Sequence, residues 1–461
     1  MRLFEGNYIM DNQILSVICF QWKIGIRFIG NLEYSINESK YCKNKLIIVT
    51  EENDMNEILA EYNQLCIDFN QYERTVIPLC AAENYISDFC MRPLISNFEG
   101  KYSFTESSGN NSFVGGEYVN RLNTLLKEQC KIMFGANYTN TETLTGINCF
   151  TVCAMSLLSS EDYVLVTTPE QGGHASIPII LDAIGVKYDS IPYDYLNYQI
   201  DYEKLNQLCQ SQKYSYIIFC QSDVINPPNL KLINMPDNMG IIYDSTQTLG
   251  LIASGIIPNP LLVSNNNVVL IGGSHKTLPA PSCGLIMTNN KSYEKKLKKH
   301  ITPDYLRNTQ PNHSASLLLA LIEQEECGYA YQKLIVDTAN IFGSELSHLG
   351  FKVAKLNSEL FTSTHQLFIL MNEEETNSFY ITAKQYNITL NKKHKKLFNY
   401  DGIRIGTQQI ARYNWSKQEI ELLAQLFYSI RKQKYNEIKN IREILVTKKI
   451  PHFTYEDISI K

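Results

Sequence analysis

The 461-residue sequence has none of several features that would assign it quickly. Its twelve cysteines include no Cys-x-x-Cys pair, so neither a zinc knuckle nor a redox motif is on offer. Scattered thiols in a chain this long fit reduced, mostly buried cysteines of a cytoplasmic protein better than a disulfide framework. Cys149 and Cys153 lie four apart on an expected helix, but no His or Asp accompanies them, and core packing is the better reading. There is no excess of positive charge: the net charge is −5, which gives no basis for general nucleic-acid or membrane binding. No long apolar run is free of charge. The most apolar N-terminal stretch, Ile14 to Gly30 ("ILSVICFQWKIGIRFIG"), is broken by Lys23 and Arg27. No small-residue cleavage site follows it, so it reads as strand-rich or irregular structure, not a signal peptide or span. No repeat or low-complexity tract is present.

What remains is an ordinary globular composition with a clear rhythm. Residues 1–54 form an N-terminal extension that ends in the polar run "TEENDMNE". Residues 55–325 carry a helical arm and then short β-branched runs. These are "YVLVTTP", "YSYIIFCQS", "MGIIYDS", "NVVLIGGS" and "GLIMTN", separated by helical segments. Continuous apolar strands alternating with helices predict an α/β fold with a mostly parallel sheet covered on both faces. After a long helix near Ala315 to Val336, residues 326–461 change pattern and predict a smaller C-terminal α/β domain.

Chemistry concentrates at "VLIGGSHKTLPAPSCG" (Val269 to Gly284). A nucleotide loop needs Gly immediately before Lys-Thr, and here His275 stands there. A lysine at a buried strand end instead suits covalent capture of an aldehyde, with Gly272, Gly273 and Ser274 leaving room for a flat ring. A pyridoxal phosphate enzyme needs partners for that lysine, and the sequence supplies each in a sensible order. Asp244 ends the strand "MGIIYD", where a buried carboxylate would hold the ring nitrogen protonated. Gln247 follows within reach of the ring oxygen. Thr145, Gly146 and Ile147 open the apolar helix "INCFTVCAMSLL", a fit for phosphate. His174 follows two glycines after a strand and suits ring stacking. Arg404 in "YDGIRIGTQ" offers a fork for a substrate carboxylate. Taken singly, Asp244 is better read as a helix cap, His174 as a structural histidine, and Arg404 as a surface or ion-pair residue. Their joint order carries the inference.

The segments "PLCAAENYIS", "GKYSF", "GGEYVN", "FGANYTN", "GGHAS", "YDSTQTLG", "SHKTL" and "GIRIGTQ" resemble, in collinear order, motifs of the serine hydroxymethyltransferase family of fold-type-I pyridoxal phosphate enzymes. The resemblance implies that Lys276 carries the cofactor covalently, Asp244 pairs with the pyridine nitrogen and His174 stacks. It gives Thr145, Gly146, Ile147, Ser274 and His275 to the phosphate, Ser222 to the phenolic oxygen and Arg404 to the amino acid carboxylate. It also implies a large seven-stranded-type sheet domain and a homodimer whose sites are shared, with Tyr102 reaching in from a neighbouring subunit.

The departures from the family pattern are specific. Ala82 replaces a serine that helps hold the substrate carboxylate. Phe104 stands where the family has its catalytic glutamate, and Glu106 lies two residues later. Phe113 replaces a tyrosine and Gln247 a histidine. Ser282 and Cys283 stand where an arginine and glycine are expected. The folate-contacting segment reads "NKKHKK" (Asn391 to Lys396). The carbanion-forming set is intact while the tetrahydrofolate set is not. The expectation is therefore aldol or retro-aldol chemistry at Cα–Cβ of a serine-, threonine- or glycine-like amino acid, with an aldehyde partner and little or no folate dependence. His174 or Glu106 would serve as base for a β-hydroxyl. The alternatives are another carbanion outcome (transamination, elimination or decarboxylation) and a non-catalytic cofactor-binding paralogue. No metal, nucleic acid or membrane partner is expected.

Overall fold

The computed structural model describes residues 4–10, 13–19, 57–105, 111–263 and 267–455. Two units divide the chain, residues 1–73 and 74–461. The first holds an antiparallel hairpin, β1 (Phe4–Met10) and β2 (Gln13–Cys19), and most of helix α1 (Glu57–Thr75). The apolar stretch Ile14 to Gly30 thus starts as a strand, and its later part lies outside the described residues.

The second unit carries two sheets. Helix α2 (Gly116–Phe134) precedes β3 (Tyr138–Asn140), α3 (Gly146–Leu157), β4 (Tyr163–Val166), α4 (Ser176–Ala183) and β5 (Lys187–Ser190). Then come α5 (Tyr202–Gln210), β6 (Tyr216–Phe219), β7 (Gly240–Asp244), β8 (Val268–Gly273) and β9 (Gly284–Thr288). These seven strands form one sheet in the order β3-β9-β8-β7-β6-β4-β5. Only β9 runs against the rest. The five apolar runs expected from the sequence are all strands of this sheet. β6, β8 and β9 are buried along their whole length, as they must be when helices cover both faces. Cys149 and Cys153 lie fully buried in the core on one of those faces.

Helix α6 (Lys291–His300) leads to the 38-residue helix α7 (Pro311–His348). Its first half packs Leu317, Ala320 and Leu321 into the core of the large sheet. Its second half puts Ala339, Phe342 and Leu346 into a separate core. That second core lies on a four-stranded antiparallel sheet built from β10 (Lys352–Val353), β11 (Gln366–Leu370), β12 (Asn391–Lys395) and β13 (Tyr400–Gly406). Its order is β10-β11-β13-β12, so β12 is an edge. Helices α8 (Glu373–Gln385), α9 (Lys417–Arg431) and α10 (Tyr435–Val446) complete it. Arg412 and Glu323, both fully buried, pair at 2.9 Å beside α7. Ser87 donates to the same carboxylate at 2.6 Å, which satisfies an otherwise costly buried charge.

Candidate active site

Parallel strands expose their carboxyl ends on one edge of a sheet, and the residues there are free of ladder duties. Asp244 is the last residue of β7, and Lys276 lies three residues past the end of β8. Thr246 N–H donates to Asp244 Oδ1 at 2.8 Å, fixing the carboxylate. Burial raises the Asp244 pKa, with Thr246, Lys276 and His174 acting the other way. Lys276 is lowered to about 8, chiefly by burial, with Arg404 adding to this and Asp244 opposing it. A lysine so disposed holds a free amine far more readily than one in water.

His174 is positioned by backbone. Its N–H donates to Cys220 O at 2.9 Å, and Ser222 and Asp223 N–H both donate to Gly172 O, at 2.7 and 2.9 Å. Gly172 sits at φ 88°, and a Cβ there would strike Asp223 O. Gly172 therefore lets the loop after β4 lie against the loop after β6, while Gly173 lets the first loop fold closely on its own Thr167 carbonyl. Ser176 N–H donates to His174 Nδ1 at 3.2 Å. Burial lowers the His174 pKa, so the ring is neutral at pH 7 and carries its proton on Nε2.

The first turn of α3 abuts the end of β8. A Cβ on Gly273 would lie 2.8 Å from Gly146 N, and one on Gly146 would crowd Thr246 Oγ1. Thr145 caps the helix by accepting from Asn148 N–H at 3.2 Å. Ile147 is 36% exposed at this turn. Ser274 Oγ is spent on its own loop, donating to Pro281 O. His275 holds a left-handed φ of 77°, and its buried Nδ1 has no partner. Gln247 Oε1 accepts from Gln366 Nε2 at 2.9 Å, while the Ser222 carbonyl accepts from Gln366 and Arg404.

Arg404 lies on β13, opposite Phe368 on β11 and Asn391 on β12. Its Nη1 donates to Asp223 Oδ1 at 2.7 Å and its Nη2 to Asn391 Oδ1 at 2.8 Å. Lys393 and Lys395 reach the same Asp223 carboxylate, at 2.8 and 2.7 Å. Sequence reasoning missed Asp223, Lys393 and Lys395. The available signal was the alternation in "NKKHK", which puts 391, 393 and 395 on the face Arg404 uses.

The structure thus puts Lys276 within electrostatic reach of Asp244, His174 and Arg404, with Gly146 packed on Gly273 at the end of the same strand. Ala82 is half-buried in the segment that precedes Asn84, and Asn84 donates to the Lys276 carbonyl at 2.5 Å. Tyr102 packs edge-on against Phe113, ring centroids 4.7 Å apart, and no hydrogen bond ties it to the lysine cluster among the described residues. Glu106 lies outside the described residues.

A family model described as serine hydroxymethyltransferase matches residues 55–427. The chain belongs to the serine hydroxymethyltransferase family. Pyridoxal phosphate is that family's cofactor, and the family works at the Cα–Cβ bond of small amino acids. Similar proteins include the serine hydroxymethyltransferase of Thermoplasma volcanium, 28% identical over 83% of this chain and 92% of that one. The Methanobrevibacter smithii serine hydroxymethyltransferase is 26% identical over 87% and 96%. Among solved structures, L-threonine transaldolase from Pseudomonas fluorescens matches with a TM-score of 0.78 at 20% identity, covering 87% of this chain and 94% of that one. That likeness bears on the fold. Three features fit the cofactor: a glycine-lined contact of the first turn of α3 with the end of β8, the unpartnered buried His275 Nδ1, and a buried carboxylate, Asp244, within electrostatic reach of Lys276.

Proposed function

We propose that this family member makes and breaks the Cα–Cβ bond of a serine-, threonine- or glycine-like amino acid against an aldehyde, with little or no need for tetrahydrofolate. The observation that carries this is the electrostatic grouping of Lys276 with Asp244 and His174, with Arg404 adjoining. Lys276 would hold pyridoxal phosphate and Asp244 its ring nitrogen. Thr145, Gly146 and Ile147, with Ser274 and His275, would hold its phosphate, and Ser222 and Gln247 would border its phenolic oxygen. When bound, the cofactor supplies an electron sink for charge developing at Cα.

The chain's own residues then divide the remaining work. Arg404 would orient the α-carboxylate, with Ala82 lining that end. The neutral ring of His174 uses its one lone pair on Ser176 N–H, which favours stacking over proton acceptance. The base for a β-hydroxyl then falls to Glu106 or to Tyr102. Both would act across a homodimer, a reading supported by exposed Ile95, Val114 and Tyr118 around that segment. The departure at Asn391 to Lys396 favours folate independence. Its inward lysines converge on Asp223.

The deciding experiment incubates yellow holoenzyme with serine, threonine and glycine, with and without aldehydes and tetrahydrofolate. Aldehyde release or exchange without folate is expected. A strict folate requirement would overturn folate independence, and exclusive transamination or elimination would overturn the bond assignment.

A further inference from the structure

We propose that the substrate carries a second anionic group, a carboxylate or phosphate in addition to the α-carboxylate, and that Lys393 and Lys395 receive it. This rests on Lys276 and Arg404 forming the amino acid site proposed above.

Strand β12 is a sheet edge, and lysines on edges ordinarily point to water, where they discourage strand pairing. Lys392 and His394 do so, and His394 is spent on Asp401 at 2.9 Å. Lys393 and Lys395 do the opposite. Their side chains are only 18% exposed, and they converge with Arg404 on the fully buried Asp223. Three positive charges against one negative leave two in excess. Such an excess is unfavourable out of water unless further anions join it. An α-carboxylate on Arg404 answers one charge. The other stays unanswered, and it lies on the lysine pair.

The cluster borders the reacting centre. Lys395 and Asp223 both act on the titration of His174, and Arg404 and Asp223 both act on that of Lys276. Lys393 is itself lowered, by burial first and by Arg404 and Lys395 as well. Arg404 Nε is buried without a partner, so the fork has donor capacity left for an incoming oxygen. A planar dicarboxylate, or a phosphate on a short arm, is the chemistry that would use an unspent guanidinium N–H and two ammonium groups together.

The test uses the yellow holoenzyme. Calorimetry compares malonate and succinate with acetate and propionate. Turnover arms separate the two places where the second anion can sit. On the amino acid, β-hydroxyaspartate and phosphoserine are compared with threonine and serine. On the aldehyde, glyoxylate and glyceraldehyde 3-phosphate are compared with acetaldehyde. The dianion is expected to bind about tenfold or more tighter than its monoanionic counterpart, the scale of an added charge pair. Lys395→Met and Lys393→Met should shrink that ratio, and Lys395→Arg should restore it. Equal affinities for both anion classes in yellow wild type would overturn the proposal, as would a ratio indifferent to both methionine variants. A second copy's carboxylate filling the cluster would give that same indifference. A colourless protein that still prefers dicarboxylates would instead sink the cofactor reading while sparing the anion site.

Discussion

Arg404 Nη1 and Asp223 Oδ1 lie 2.7 Å apart with both side chains out of water. One comes from the antiparallel sheet and the other from the loop after β6, so the pair ties the two cores together at the site itself. Burial pushes the Asp223 carboxyl up, but Arg404, Lys393 and Lys395 outweigh that and hold it well below the usual carboxylate range. A depressed carboxylate adds stability that is present above its unfolded pKa of about 4 and lost as pH falls toward the folded value. Asp223→Asn should therefore lower stability at neutral pH by roughly 3–5 kcal/mol and flatten the acid limb of the melting curve. Thermal melts from neutral to acid pH check this, and parallel curves for both proteins would refute it.

Arg404→Ala should raise KM for the amino acid by about 2–5 kcal/mol in binding terms while cofactor colour persists. Steady-state kinetics decide the matter. An unchanged KM would move the α-carboxylate to Lys393 or Lys395.

The lowering of Lys276 to about 8 has a kinetic signature. Burial is the main cause, and below that pH the amine of the cofactor-free protein is mostly protonated and cannot attack an aldehyde. Uptake of pyridoxal phosphate by apoprotein should speed up with pH and level off above about 8. Stopped-flow absorbance follows it, and Lys276→Ala should never develop the visible band. A pH-independent rate would mean that the amine is not the titrating group.

Gly273→Ala would press a methyl to 2.8 Å from Gly146 N at the first turn of α3. The variant should lose roughly 1–3 kcal/mol of stability and, with it, affinity for the cofactor phosphate. Equilibrium dialysis against pyridoxal phosphate reads the second effect, and wild-type affinity would remove Gly273 from the cradle.

Much of the large sheet was legible because five of its seven strands are short β-branched runs bounded by Gly, Pro, Asn or Ser, and strand ends then locate Asp244 and Lys276; β3 ("YTN") and β5 ("KYDS") carry no such run. The edge strand β12 was harder. Its text, "NKKHK", has no apolar residue at all, because its inward face holds charge where a strand of this kind ordinarily holds Val or Ile. Asp223 was invisible for a different reason. It follows Ser222 in an unremarkable loop, and its meaning comes from Arg404, 181 residues away. Pattern reading finds periodicity within an element. It has no handle on charges that meet only once two sheets are built.

The Lys276 carbonyl is held by Asn84, 192 residues earlier, whose amide also donates to Tyr331 at 2.9 Å. Gln332 grips the next carbonyl, that of Thr277, at 2.7 Å. Lys276 is therefore held between the segment at Asn84, near the start of the folding unit, and helix α7 in its middle, and it acquires its setting only when those two parts have met. Closing a loop of that length carries an entropic cost. With Lys276 as the proposed cofactor anchor, a chain that ends before α7 would have the lysine but not the place to use it, and visible colour would report an assembled core.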